Sequence, residues 1–159
     1  MIAGSAVSLT RQVRRGWVPP VREFRRWTDA VLGSKSPAAQ ISVLLVGEQR
    51  SRLLNRLYRG RDKSTNILSF PAPAMARRST GLLGDLVICP AVLRAEARKQ
   101  HKPVRSHWAH LVVHGVLHLL GYDHERERDA RRMERREVRI LRQLGIGNPY
   151  VSTDGPDHG

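Results

Sequence analysis

Three histidines in the stretch HGVLHLLGYDH are spaced to do chemistry. His114, His118 and His124 stand at offsets of zero, four and ten. Four residues of an α-helix turn through about 400°, so His114 and His118 fall about 40° apart, one turn above the other on a single face. Gly121 follows the apolar run 116–120, where a glycine can take the left-handed conformation that ends a helix and reverses the chain. That reversal can bring His124 round as a third donor. Three neutral imidazoles with one position left open describe a catalytic zinc site, whereas structural zinc is usually closed by four ligands, mostly cysteine. With Cys89 as its only cysteine, the chain cannot build a closed cysteine-rich site.

The same spacing, H-x-x-x-H-x-x-G-x-x-H, is that of metzincin proteases, but Gly115 stands where their general-base glutamate would be. His107 and His110 lie on nearly the same helical stripe and are read as groups that orient a ligand or support the core. An aspartate entering an apolar strand is costly to bury unless paired, so Asp85 either orients a metal-bound histidine or caps a turn beside Gly84. Asp123 and Glu125 are candidate proton carriers or supports, Asp123 chiefly as a turn residue beside His124.

Composition narrows the partner. The chain carries 28 Lys+Arg against 14 Asp+Glu, a formal net charge of +14, and 24 of the cations are arginine. Such a field concentrates polyanions, which makes nucleic acid the expected partner, although a genomic bias toward arginine would give the same composition. No apolar stretch follows a basic N-terminus in the manner of a leader, and no apolar run approaches a membrane span. Cys89 sits in an apolar setting and reads as a core residue of a reducing compartment, so a cytoplasmic location is expected.

The elements that must position these groups follow from periodicity. A short alternating segment around Val7 and Leu9 reads as an edge strand or a basic arm. Pro19-Pro20 opens an amphipathic helix through Phe24, Trp27 and Val31 to about Gly33. Strands are expected over 41–46, 67–70 and 84–89, and helices over 48–58, 90–100, 103–120 and 125–144. Pro71 to Gly81 is expected to be a loop, and 146–159, rich in Gly, Pro and Asp, a flexible tail after a single domain over 1–145. The last helix carries eight arginines and five acids and reads as a salt-bridged solvated face above an apolar stripe. The sum is an α+β domain, a small mixed sheet packed with helices, with the histidine helix among them.

Tyr58-Arg59, the run Thr65-Asn66-Ile67-Leu68-Ser69-Phe70-Pro71, Gly84-Asp85-Leu86-Val87-Ile88 and the segment His114 to His124 occur together and in order. In these the chain closely resembles the YbeY family of zinc-dependent, single-strand-specific endoribonucleases, over about Ile41 to Leu144. The resemblance implies a zincin-like fold, one Zn2+ per chain on His114, His118 and His124, and Arg59 as a residue needed for RNA cleavage. Beside these, Asn66 and Ser69 are candidate substrate contacts and Asp85 a second catalytic candidate. The resemblance also implies maturation of the small-subunit ribosomal RNA 3′ end, ribosome quality control, and a small-subunit ribosomal protein and an Era-type GTPase as partners.

On that reading, zinc makes hydroxide available near neutral pH and the guanidinium of Arg59 stabilises charge on the phosphate, the attacking oxygen coming from water or from the RNA's own 2′-hydroxyl. The alternatives are a metzincin-like metalloprotease and a non-catalytic ribosome-assembly protein that binds RNA around a structural zinc.

Overall fold

The computed structural model describes residues 4–33, 39–122 and 126–151. His124, Asp123, Glu125 and residues 152–159 lie outside them. Four strands, β1 (Ala6–Arg11), β2 (Gln40–Leu45), β3 (Ile67–Pro71) and β4 (Leu82–Ile88), form one sheet in the order β1-β2-β4-β3. β1, β2 and β4 run parallel and β3 runs antiparallel to β4, so the mixed sheet of the α+β expectation is present. The segment around Val7 and Leu9 is the edge strand of the two readings.

Six helices, α1 (Val21–Leu32), α2 (Glu48–Arg59), α3 (Ala74–Thr80), α4 (Pro90–Lys99), α5 (Val104–Leu119) and α6 (Glu127–Gln143), surround it. On one face α5 lies over β3 and β4 and is flanked by α1, α4 and α6. Phe24 stands edge-on to both Trp27 and Trp108, joining α1 to α5 in the main core. On the other face a smaller cluster, Val46, Leu68 and Val87, is covered by Leu54 of α2 and by Phe70. Ten of the sixteen residues of α5 are buried, so it is a core helix rather than an amphipathic one.

Two local features seat α5. A Cβ at Gly115 would stand 2.8 Å from Ile67 Cδ1 and 2.9 Å from Leu86 Cδ2, so this helix comes close to the sheet only because position 115 has no side chain. At its end, Gly121 has φ +100°, and the Gly121 N–H donates to His118 O while the Tyr122 N–H donates to Leu117 O. That is the Schellman arrangement, and it reverses the chain where the glycine predicted it.

The segment expected as a loop after Pro71 contains α3. Pro73 precedes it, Ala74-Met75-Ala76-Arg77-Arg78 are mostly strong helix formers, and Gly81 closes it in a left-handed conformation. None of its residues is buried, so the apolar periodicity by which a helix is recognised is missing.

Candidate metal centre and active site

Three of the four histidines of α5 lie on a side of that helix that the core leaves partly uncovered, while His107 is buried. His110, His114 and His118 recur every four residues and are half-buried, while their helical neighbours are mostly buried. His114 Nε2 and His118 Nε2 face each other at 3.2 Å. Two nitrogens bound tetrahedrally at 2.0–2.1 Å from one zinc would stand about 3.3 Å apart, so this pair has the spacing of two ligands of one ion.

The orientation of His114 is set from behind. Its Nδ1–H donates to Glu137 Oε1 at 2.5 Å, which directs the Nε2 lone pair toward His118. Glu137, on α6, is fully buried. Its other oxygen accepts from His110 Nε2 at 3.2 Å and from the Tyr150 hydroxyl. Burial alone would raise this carboxyl, but the hydrogen bonds from His110, His114 and Tyr150 outweigh it and hold the group at about 2. Burial and the neighbouring Glu137 anion push the Tyr150 phenol upward, so it remains a donor.

His110, His114 and Glu137 also place one ligand atom each within 4.8 Å of one another, a second group able to hold a metal. Within it, His114 Nδ1 and Glu137 Oε1 are separated by a hydrogen-bond distance, 2.5 Å, too short for two atoms that share an ion. The structure thus offers two arrangements, the facing Nε2 atoms of His114 and His118 with Glu137 behind, and the group of His110, His114 and Glu137.

A cavity of about 630 Å³ opens over the pair, lined by Tyr58, Arg59, Asn66–Pro71, His110, Leu111, His114, His118 and Tyr150. Arg59 ends α2 and is exposed at the rim, where the left-handed turn at Gly60 takes the chain away. The loop behind it is pinned to α2 by two buried side chains. Ser51 Oγ donates to Thr65 O at 2.9 Å and accepts from Thr65 N–H at 2.8 Å, and Asn55 Nδ2 donates to Lys63 O at 2.8 Å.

Asn66 and Ser69 both line the cavity. The amide of Asn66 is engaged by Glu96 at 2.9 Å, and Glu96 also accepts from His107 Nε2 at 3.0 Å, so these three brace β3, α4 and α5 against one another. Ser69 Oγ reaches Gly115 O at 3.4 Å.

Asp85 is not brought to the histidines. It is exposed, paired with Phe70 on the face of the sheet opposite α5, and does not line the cavity, because strand alternation puts Gly84 and Leu86, not Asp85, toward α5. His107 contacts Glu96 and His110 contacts Glu137, and His110, read from the helical stripe as a supporting group, also belongs to the cluster able to hold a metal. His124 lies outside the described residues.

Sequence reasoning overlooked Glu137, Glu96 and Tyr150. Glu137 was hidden among the acids of a charged helix, yet its position on the stripe Met133, Glu137, Ile140, Leu141 marks it as an acid inside an apolar face. Tyr150 stands in a segment with no periodicity, and only its contacts reveal it. Residues 146–150 fold back, with Ile146 N–H donating to Leu141 O at 2.8 Å and Lys102 Nζ donating to Pro149 O.

The family model for the endoribonuclease YbeY matches residues 18–145. Among solved structures, the solution structure of TM1509 from Thermotoga maritima is similar, with a TM-score of 0.55 and 21% identity over 96% of this chain and 99% of that one. The second likeness bears on the fold alone.

Proposed function

The chain belongs to the YbeY family, metal-dependent endoribonucleases of ribosomal RNA processing, and on that premise we propose that it is a single-strand-specific endoribonuclease using one Zn2+. The proposed ligands are His114, His118 and His124. The observation that carries this reading is the facing of His114 Nε2 and His118 Nε2 at 3.2 Å, inside a cavity with Arg59 at its rim.

A zinc ion there supplies Lewis-acid chemistry, making water acidic near neutral pH and polarising a phosphate oxygen. The protein's own residues do the rest. Glu137 fixes the ring and tautomer of His114. Arg59 presents a planar fork of donors to the non-bridging oxygens of the phosphodiester, which gain negative charge as the bond breaks. Asn66 and Ser69 line the wall past which the strand lies, Asn66 with its amide held by Glu96 so that its backbone stays in register.

Gly115 argues against peptide hydrolysis. It leaves the position of the metzincin general base without a side chain, and a Cβ there would stand 2.8 Å from Ile67 Cδ1 and 2.9 Å from Leu86 Cδ2. The proposed setting is maturation of the small-subunit ribosomal RNA 3′ end and ribosome quality control in the cytoplasm, with a small-subunit ribosomal protein and an Era-type GTPase as partners. No helix among the described residues is long and apolar enough to cross a membrane.

The test is cleavage of a structureless RNA by the purified protein, before and after chelation and after zinc is restored. Cutting that stops on chelation, returns with zinc, vanishes in His114→Ala and falls about a hundredfold in Arg59→Glu is expected. Cutting that survives chelation, or RNA binding without any cutting in the wild type, would overturn it.

A further inference from the structure

A second cavity, of about 540 Å³, lies along α6 and is lined by Arg131, Arg135, Arg139 and Arg142 together with one acid, Glu134, and by Val138, Asn148 and Tyr150. Tyr150 also lines the metal cavity, so the two spaces meet at a single side chain. The four arginines follow one another at intervals of four, four and three and fall within about 80° of one another on the helix, a continuous cationic stripe. Like charges so placed repel, and among the lining residues Glu134 is the one carboxylate set against these four guanidinium groups, which leaves the face net cationic. Elsewhere Arg52 pairs with Asp62, and both Arg26 and Arg105 with Glu23, while other exposed arginines such as Arg22 and Arg25 form no ion pair among the described residues. On this stripe Arg131 reaches Glu127 only at 3.8 Å, and Arg135, Arg139 and Arg142 form no ion pair among the described residues.

The junction is built for a flat group. The Tyr150 hydroxyl is tied to buried Glu137 and its segment to Lys102, while 46% of the residue stays exposed. A fixed, half-open aromatic ring beside guanidinium groups is the combination by which proteins hold single strands, with bases on the ring and phosphates on the cations. A base paired in a duplex has no open face to offer.

We propose that the arginine face of α6, joined to the metal cavity through Tyr150, is the track that holds the single-stranded RNA flanking the cleaved bond. The proposal rests on the endoribonuclease reading and adds to it where the strand runs. Tyr150 acts as a positioning residue, stacking an unpaired base at the border of the two cavities.

The test measures binding of a structureless RNA of about 20 nucleotides, longer than typical single-strand site sizes, by chelator-treated full-length protein over a range of salt, alongside steady-state cleavage by the zinc-loaded protein. The double variant Arg135→Glu/Arg139→Glu should weaken binding about tenfold or more at low salt and lower the slope of log affinity against log salt by about 0.7 for each phosphate that no longer meets a guanidinium. Tyr150→Ala should weaken binding about tenfold with the slope unchanged, since stacking releases no counterions, and Tyr150→Phe, which keeps the ring, should bind within about threefold of wild type. In cleavage, the wild type's preference for the long RNA over a pentanucleotide should shrink in both the double variant and Tyr150→Ala, through KM.

The matched reversal Arg22→Glu/Arg25→Glu on α1 separates a track from a diffuse field. Equal losses from the α1 and α6 reversals overturn the proposal, as does an α6 reversal without effect, in each case with wild-type cutting intact and the endoribonuclease reading untouched. Equal affinity of the wild type for poly-glutamate and RNA would point to an acidic protein partner and also overturn it. A wild type that neither binds nor cuts RNA overturns both readings together.

Discussion

At the scale of single residues, position 115 is decided by packing rather than by chemistry. Gly115→Ala gains helix propensity worth about 1 kcal/mol but drives a methyl to within 2.8 Å of Ile67 Cδ1 and 2.9 Å of Leu86 Cδ2, both in the core. Overpacking typically costs about 1–3 kcal/mol, so a net loss of stability in urea denaturation is expected, and a gain would show that the helix can withdraw from the sheet at no cost. Glu96 carries a pH signature. Burial would raise its carboxyl, but the hydrogen bonds from His107 and Asn66 prevail and hold it below the ordinary value of 4.5. A carboxyl depressed on folding stabilises the fold above its unfolded value and loses that contribution as pH falls through the folded one. Wild type should therefore lose stability below about pH 4.5 more steeply than Glu96→Gln, measured as denaturation midpoints in a pH series, and parallel curves would contradict the brace. The residues of the candidate site were unevenly legible. His114 and His118 are visible because helical spacing alone stacks them, whereas Glu137 meets His114 across two helices, 23 residues away in sequence, which no local pattern encodes.

At the scale of elements, the observed bounds of α1, β2, α2, β4, α4, α5 and α6 lie within a few residues of those expected, but the inward face of α2 expected at Leu53, Leu54 and Leu57 is not the one observed, since Leu53 and Leu57 are exposed while Ser51 and Asn55 are buried. What escaped were elements with no buried face, such as α3, and the fold-back of 146–150, which is held by single hydrogen bonds and by Ile146 against the core rather than by a repeating pattern. The polar residues of α2 carry a consequence for Arg59. Because Asn55 and Ser51 are buried and clasp the loop through Lys63 and Thr65, they hold the end of α2 in its place beside Asn66. Asn55→Ala leaves the Lys63 carbonyl without this donor and should cost about 1–3 kcal/mol. Metal content should be unaffected while RNA cleavage falls, read by elemental analysis and a cleavage assay on the same sample. Loss of both together would mean that the loop supports the metal centre as well.

At the scale of the whole molecule, the sheet, the buried α5 and the charged α6 divide the work. The sheet and α1 bury one flank of α5, α6 supplies Glu137 from another, and the histidines face the remaining opening beside Arg59 and Tyr150. The net charge of +14 draws a polyanion toward this opening and its arginine-lined neighbour. All of this depends on which nitrogens face the ion. The most direct test is the zinc content of purified wild type, His118→Ala and His110→Ala. One ion per chain in the wild type, lost in His118→Ala and kept in His110→Ala, is predicted from the facing Nε2 pair. Zinc kept in His118→Ala and lost in His110→Ala would put the ion on His110, His114 and Glu137 instead, and contradict the account.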